Sequence, residues 1–213
     1  MTTILLTGFE PFGGDASNPS GDAVRLVGAR WSGPEKLVTA ILPVTFIGAR
    51  ASLTQLMAQH SPDVVIAAGL AGDRAAISVE RIAVNLTDAR IPDNDGAQPI
   101  DGPSVAGAPA AYFATLPVKA IARDIAAEGI PCTVSHSAGT FVCNHVFFTA
   151  LHALRDCAAV RAGFIHVPWA AESAPSTDAA ALPLADIARA LEIAVRTSLT
   201  TTEDAALSAG ALS

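Results

Sequence analysis

Three side chains that lie far apart in the sequence have the chemistry needed for acyl transfer. Cys143 begins a predicted helix, His166 lies near the end of an apolar run, and Glu80 interrupts another apolar run. A cysteine sulfur can attack a carbonyl carbon, an imidazole can carry the proton, and a carboxylate can orient that imidazole. The positive end of the helix dipole favours the thiolate form of the cysteine. These residue types predict a nucleophilic cysteine centre, provided that the fold brings them together.

Structural roles are also open to these residues. A histidine within a strand is usually a satisfied core residue, and the sequence favours an ion pair of Glu80 with Arg74 or Arg81 over a place in a triad. The other two cysteines, Cys132 in a predicted strand and Cys157 late in a helix, fit inert thiols better than the cysteine at the helix start. The catalytic interpretation therefore depends on which of these side chains the fold brings into contact.

Other chemistries find less support in the sequence. Ser137 lacks the Gly-x-Ser-x-Gly turn of the α/β serine hydrolases. Neither the glycine fingerprint of dinucleotide-binding proteins nor a phosphate-binding P-loop follows the first predicted strand. His145 and His152 share a helical face, but no third ligand accompanies them, so we expect no metal site.

Two long segments without periodicity contain residues that could contact a ligand. Phe9 and Phe12 lie in the first, residues 8–21, which is rich in glycine and proline. Large apolar side chains are unusual at loop tips, so either the rings pack beneath the loop or they form an apolar wall for a small ligand. Arg90 lies in the second, residues 86–107, and is either a surface arginine or a donor to a developing oxyanion.

Short apolar runs alternate with segments of helical periodicity along the chain. Apolar residues throughout a strand, as in residues 63–69 (DVVIAAG), are typical of a parallel sheet covered on both faces. The pattern predicts one α/β domain over residues 1–213, a single three-layer α/β/α sandwich around a mostly parallel twisted sheet. Ligands of such sheets bind at the carboxyl ends of the strands, where His166 is expected. The predicted strands are Thr3–Thr7, Leu37–Leu42, Asp63–Gly69, Ile77–Asn85, Cys132–Ser135 and Gly163–Val167, and the predicted helices are Phe46–His60, Pro117–Glu128, Val142–Asp156 and Leu184–Ser198.

The composition excludes several classes of protein. The 213 residues include 20 acidic and 13 basic side chains, which gives a formal net charge of −7, and 51% of the residues are hydrophobic. Disordered chains have the opposite balance, with high charge and low hydrophobicity. Nucleic acid and anionic membranes need concentrated Lys and Arg, so neither is expected as a partner. Since the sequence has no long apolar run, no signal peptide and no paired-cysteine pattern, we expect a soluble cytoplasmic protein.

Five blocks of sequence, in order, resemble the pyroglutamyl-peptidase I (pyrrolidone-carboxylate peptidase) family of cytosolic cysteine peptidases. The similarity extends from Leu6 to about Pro168, which is most of the chain. Five ordered blocks of this length are far more specific than any single short motif. The blocks are Thr7–Ser20 (TGFEPFGG, then NPS), Ser78–Asn85 (SVERIAVN), Asp88–Asp101 (DARIPDNDGAQPID), Ser137–His145 (SAGTFVCNH) and Gly163–Pro168 (GFIHVP).

The resemblance implies an α/β/α globule in which Cys143, His166 and Glu80 form a catalytic triad. It implies hydrolytic removal of the N-terminal pyroglutamyl residue from small peptides through a thioester acyl-enzyme, with no cofactor and no metal. It also implies a homotetramer.

The resemblance further implies which residues contact the substrate. Phe12 and Phe141 would enclose the flat lactam ring, and Arg90 would help to polarise the scissile carbonyl. The other implied pocket residues lie near that ring. The full set is Phe9, Phe12, Asn18, Leu70, Arg90, Phe141 and Val142.

One departure from the family pattern falls on the pocket. Where the family usually reads Gly-Gln-Ala-Gly-Gly-Arg, residues 69–74 read GLAGDR. Leu70 thus takes the position of a glutamine that, by resemblance, contacts the ring, and Asp73 replaces a glycine in the same turn. Because leucine cannot hydrogen-bond the lactam, we expect weaker substrate affinity, by up to about tenfold, without loss of activity.

Two other functions stay open. A catalytically silent α/β protein could use the same pocket to bind a cyclic amide, and Leu70 is the one residue that favours it. An enzyme similar to the nucleoside phosphorylases would rest on fold analogy alone, and the chain lacks a phosphate loop. Cleavage of a pyroglutamyl amide that a thiol-blocking reagent abolishes would indicate an enzyme. Tight binding of such a ligand without cleavage would indicate a binding protein.

Overall fold

The computed structural model describes residues 1–210, which form ten strands and five helices. The helices are α1 (Pro19–Arg30), α2 (Phe46–His60), α3 (Val118–Ala127), α4 (Val142–Leu154) and α5 (Leu184–Thr200). The strands are β1 (Thr3–Phe9), β2 (Lys36–Leu42), β3 (Val64–Leu70), β4 (Ile77–Glu80), β5 (Ile82–Val84), β6 (Ala111–Phe113), β7 (Cys132–Ser135), β8 (Arg161–Val167), β9 (Trp169–Ala170) and β10 (Ala181–Leu182).

A six-stranded sheet forms the centre of the fold, in the order β2-β1-β3-β8-β4-β7. The first four strands are parallel to one another, whereas β4 runs antiparallel to β8 and parallel to β7. Two small sheets, β5 with β6 and β9 with β10, lie beside it. The prediction of an α/β fold with a mostly parallel sheet is therefore confirmed, with the two reversed strands at one side.

Helices cover both faces of the sheet because successive strand residues alternate between two apolar cores. In β1, Ile4 and Leu6 belong to the core shared with α1, α3 and α5, whereas Leu5 belongs to the core shared with α2 and α4. The large rings of Phe147 and Phe164 are fully buried in this second core. Among residues 1–210, no helix combines the length and the apolarity needed to cross a membrane.

Helix α1 is absent from the sequence-based predictions because its first turn is made of residues that are typical of loops. Asn18 caps it by accepting a hydrogen bond from the Ser20 N–H at 3.1 Å, and Pro19 suits the first helical position. Gly8 allows β1 to approach this helix, since a Cβ there would lie 2.5 Å from the Ser20 carbonyl oxygen. The glycine and the small residues of this segment therefore allow β1 and α1 to pack closely together.

The predicted strand Ile77–Asn85 is wrong as one unit, because the chain leaves the main sheet at Arg81. The Arg81 N–H still donates to the Ser135 carbonyl at 2.8 Å. Beyond it, β5 pairs with β6 in a separate sheet, and the amide side chain of Asn144 holds β5 by accepting from the Val84 N–H and donating to its carbonyl. Of the predicted strand, only β4, which ends at Glu80, belongs to the main sheet.

The segment after α5 supplies a cap that helix α3 cannot supply itself. Pro117 occupies the N-cap position and makes no side-chain hydrogen bond there. Instead, the Asp204 carboxylate accepts hydrogen bonds from the backbone N–H groups of Lys119 and Ala120, at 3.0 and 2.9 Å. A carboxylate at this end of a helix also interacts favourably with the helix dipole.

We expect Asp204→Ala to lower the free energy of unfolding by about 1 kcal/mol, the usual cost of losing a capping side chain. Asp204→Asn should lose less, because its amide oxygen can still accept a hydrogen bond. Urea unfolding curves measure the difference. Glu203→Ala is the matched control, since this exposed neighbour makes no side-chain hydrogen bond within residues 1–210; equal stabilities for the two alanine variants would contradict the capping role.

Candidate active site

Cys143 and His166 line the same cleft, a cavity of about 710 Å³ at the carboxyl ends of β3 and β8. The glycine-rich turn after β3, the first turn of α4 and the loop that contains Arg90 form its walls. A larger cavity, of about 830 Å³, lies along α2 but includes neither Cys143 nor His166. The smaller cleft is therefore the candidate active site.

Cys143 is the second residue of α4 and is held over the end of β3. A Cβ at Gly69 would lie 2.7 Å from the Cys143 sulfur and 2.8 Å from the Phe164 ring, so only glycine leaves room for the sulfur. Gly69 is paired with His166 on the neighbouring strand β8. The sulfur consequently lies over the residue of β3 that pairs with His166, although the cysteine and the histidine are 23 positions apart in the sequence (143 and 166).

The imidazole of His166 is oriented by Glu80. Its Nδ1 lies 2.7 Å from the Glu80 Oε1, and both side chains are buried. With Glu80 ionised, Nδ1 keeps its hydrogen and donates a hydrogen bond to the carboxylate. This contact leaves Nε2 as the nitrogen that can exchange a proton with a group in the cleft.

Glu80 takes both of the roles that the sequence left open. The same Oε1 accepts a hydrogen bond from Arg74 Nη1 at 2.6 Å, and Arg74 Nη2 donates to the Ser137 carbonyl at 2.9 Å. Arg81, the other candidate partner, forms no side-chain ion pair in the described part of the chain. The carboxylate thus neutralises a guanidinium and orients an imidazole at once.

The direction of β4 explains why Glu80 is fully buried although it belongs to the site. Because β4 runs antiparallel to β8, its last residue pairs with Phe164, two positions below His166. Ser78 and Glu80 face the α4 side of the sheet, whereas Ile77 and Val79 belong to the opposite core. The carboxylate therefore reaches the imidazole from beneath rather than from the edge of the sheet.

The surroundings of the Cys143 thiol disfavour its charged form. Burial raises the pKa of Cys143 to about 12, the negative charge of Glu80 adds to this effect, and Arg74 opposes it in part. Desolvation therefore opposes the thiolate form that the helix dipole favours. A protonated thiol needs a base to remove its proton before the sulfur can attack a carbonyl, and the imidazole of His166 lines the same cleft.

The two phenylalanines expected to enclose a substrate ring are in contact with each other. The ring centroids of Phe12 and Phe141 are 5.3 Å apart, and Phe46 packs edge-on against Phe141 at the same distance. A flat ring stacked between two others needs a centroid separation of about 7 Å, twice the carbon–carbon contact distance. Phe12 precedes Gly13 and Gly14, whose φ angles of 66° and 92° favour glycine. A lactam ring can therefore stack between Phe12 and Phe141, as the resemblance implies, only if these two rings move apart.

Three of the predicted pocket residues lie outside the residues that line the cleft. Phe9 is buried and packs against Phe164. Asn18 caps α1 and donates to the Glu10 carbonyl at 2.9 Å, so its amide is already engaged. Val142 is fully buried in the core. None of the three therefore lines the cavity in this structure.

The cleft is lined by four of the predicted pocket residues, Phe12, Leu70, Arg90 and Phe141. It is also lined by Trp169, which the sequence did not reveal. The signal for Trp169 was its position three residues after His166, in the segment that follows the carboxyl end of β8. Arg90 is exposed, and its guanidinium makes no hydrogen bond or ion pair within residues 1–210.

Within residues 1–210 there is no group of three or more His, Cys, Asp and Glu side chains that could hold a metal ion. Burial, with Arg50 nearby, lowers the pKa of His145 to about 4, so this histidine is neutral at physiological pH.

A model of the pyroglutamyl peptidase family matches residues 2–201. The chain belongs to this family. A pyrrolidone-carboxylate peptidase of Clavibacter michiganensis is 48% identical over the full length of both chains, and one from Chromobacterium violaceum is 49% identical over 96% of each. A crystal structure of pyroglutamyl peptidase I from Bacillus amyloliquefaciens superposes with a TM-score of 0.91 at 42% identity, covering 96% of this chain and 100% of that one. The pyrrolidone carboxyl peptidase of Thermococcus litoralis gives a TM-score of 0.89 at 42% identity over 93% and 94% of the two chains.

Proposed function

We propose that this chain is a cysteine peptidase that hydrolyses the peptide bond after an N-terminal pyroglutamyl residue, with Cys143 as nucleophile, His166 as general base and acid, and Glu80 as the orienting carboxylate. The observation that carries the proposal is the 2.7 Å contact between His166 Nδ1 and Glu80 beneath a cleft that His166 shares with Cys143. The relatives named pyrrolidone-carboxylate peptidase support the choice of substrate.

The walls of the cleft suit a pyroglutamyl residue. Its amino group is closed into a lactam, so no carboxylate is needed to bind an ammonium, and a flat, neutral ring is recognised by aromatic contact. Phe12 and Phe141 offer such contact once their rings separate. Leu70 extends the apolar wall but offers no hydrogen bond to the lactam.

The first chemical step is the attack of the Cys143 sulfur on the carbonyl carbon that lies outside the lactam ring. His166 Nε2 accepts the thiol proton as the carbon–sulfur bond forms, and Glu80 stabilises the resulting imidazolium. The negative charge that develops on the carbonyl oxygen is stabilised by backbone N–H groups in the first turn of α4, which have no partner within the helix. Arg90, whose guanidinium is unpaired in the described part of the chain, is available as a second donor.

The tetrahedral intermediate then collapses and the peptide bond breaks. The imidazolium gives its proton to the departing amine, which leaves a thioester between Cys143 and the pyroglutamyl group. Water, deprotonated by His166, attacks this thioester and releases pyroglutamate, and the proton returns to the sulfur. Neither a cofactor nor a metal takes part in this sequence.

Hydrolysis of pyroglutamyl-7-amido-4-methylcoumarin by the purified chain tests the proposal. The matched control is prolyl-7-amido-4-methylcoumarin, whose ring lacks the lactam carbonyl and carries a charged amine. We expect fluorescence to be released from the first compound only, at a rate that EDTA leaves unchanged. Binding of 2-pyrrolidone, seen as a higher melting temperature, without any cleavage would instead favour the silent binding protein.

We also propose that the chain works as a homotetramer in the cytoplasm. The family resemblance supports the assembly, as do the exposed apolar side chains of Ile47, Ile100 and Phe113, which are 81%, 77% and 65% exposed. The need for a reduced nucleophilic thiol supports a reducing compartment. Light scattering coupled to size-exclusion chromatography tests the assembly, and a monomeric mass would contradict it.

A further inference from the structure

Trp169 presents an aromatic surface to the same cleft as Cys143. It is half-buried, and its indole lies against Gly72, where any Cβ would collide with the ring. Its Nε1–H makes no hydrogen bond within residues 1–210, and its ring stacks on no other aromatic ring there. Because the indole is held against Gly72 but makes neither a hydrogen bond nor an aromatic contact among the described residues, it is available to contact a ligand in the cleft.

The cleft also carries carboxylates that no cation neutralises. Asp15, Asp73 and Asp88 line it, all three are exposed, and none forms an ion pair in the described part of the chain. The charge of Arg74 is neutralised by Glu80, which leaves Arg90 as the opposing cation among the lining residues. The lining therefore has an excess of negative charge.

The volume of the cleft leaves room for more than the pyroglutamyl residue. At about 710 Å³ it falls among cavities that hold drug-sized ligands, whereas the lactam is a single five-membered ring. The scissile bond must lie at the Cys143 sulfur, so the residue after pyroglutamate enters the remaining part of the cleft. Trp169 and Asp73 line that same cavity. The Trp169 ring lies against Gly72, the residue directly before Asp73.

We propose that Trp169 and Asp73 select peptides in which arginine or lysine directly follows pyroglutamate. A guanidinium or ammonium group is attracted to the face of an indole, and carboxylates nearby add a Coulomb attraction. The proposal rests on the proposed function, since it concerns the leaving part of the same substrate. It assigns substrate selection to residues that take no part in the bond-breaking steps.

The test compares four peptide amides in which pyroglutamate is followed by arginine, lysine, glutamine or glutamate. We expect kcat/KM to be about three- to tenfold higher for arginine and lysine than for glutamine, and lowest for glutamate. The advantage of arginine should shrink as the salt concentration rises, because exposed charges are screened. Amine release followed by mass spectrometry gives all four rates in one competition.

The ratio of the arginine rate to the glutamine rate should fall towards one in Trp169→Leu and in Asp73→Asn, whereas Trp169→Phe should keep part of it. Asp156→Asn is the control, since it removes one charge at the far end of α4 from Cys143. Equal rates for arginine and glutamine peptides in the wild type would overturn the selectivity and leave the proposed function standing. Absence of cleavage for all four peptides would overturn the proposed function and the selectivity with it.

Discussion

Replacement of Cys143 by alanine is expected to reduce kcat/KM on a pyroglutamyl amide by more than about a thousandfold, the scale seen when a catalytic nucleophile is removed. Neither of the other two thiols is placed to substitute for it, because Cys132 is half-buried on β7 and Cys157 is exposed beyond α4. Neither of these cysteines lines the cleft.

The fold should survive the substitution of Cys143. Alanine removes one atom above Gly69 and adds none, so circular dichroism and the melting temperature should stay close to those of the wild type. Cys132→Ala and Cys157→Ala are the matched controls and should retain activity. A Cys143→Ala protein that cleaves the substrate at the wild-type rate would remove the sulfur from the mechanism.

Substitution of His166 by glutamine should cost nearly as much, about a thousandfold, because general base catalysis is lost. Since the pKa of the Cys143 thiol is about 12, very little thiolate exists at neutral pH without the imidazole. The residual rate of the variant should therefore rise about tenfold per pH unit from about pH 7 to 10, following the thiolate fraction. A pH-independent residual rate would contradict the role of His166 as the base.

Glu80→Gln should be about ten- to a hundredfold less damaging than loss of the nucleophile or the base, as is usual for the orienting carboxylate of a triad. The amide oxygen can still accept a hydrogen bond from His166 Nδ1 but carries no charge. Because Arg74 would lose its buried partner, the variant should also unfold at lower urea concentration. Wild-type activity in Glu80→Ala would exclude the carboxylate from the mechanism.

The sequence predicted the layered fold because strands that are apolar throughout have few alternatives to a sheet covered on both faces. It could not reveal the direction of β4, since an apolar run reads equally in both directions. The predicted strand Ile77–Asn85 placed Glu80 in its interior, whereas Glu80 is the last residue of β4 and pairs with Phe164. Helix α1 escaped prediction because its Asn-Pro-Ser-Gly start suits a turn as well as a capped helix, and only the contact with Gly8 distinguishes them.

Within the site, residues whose role depends on position along a strand were easier to predict than those whose role depends on packing. His166 and Cys143 stand at the ends of their elements, and the fold brings them to one cleft. The raised pKa of the thiol follows from burial, which no local pattern contains. Trp169 was missed because its place depends on the turn at Gly72, 97 positions earlier in the numbering (169 and 72).

The contact between Phe12 and Phe141 has a consequence for inhibitor discovery. Rigid docking to this conformation would discard flat cyclic amides, because the gap that they need is closed. A fragment that wedges the rings apart must replace their mutual contact, which is typically worth about 0.5–1.5 kcal/mol, so its apparent affinity drops by about two- to twelvefold. Bulkier compounds that hold Phe12 in an open position break the same contact, so they need further contacts in the cleft to offset this loss.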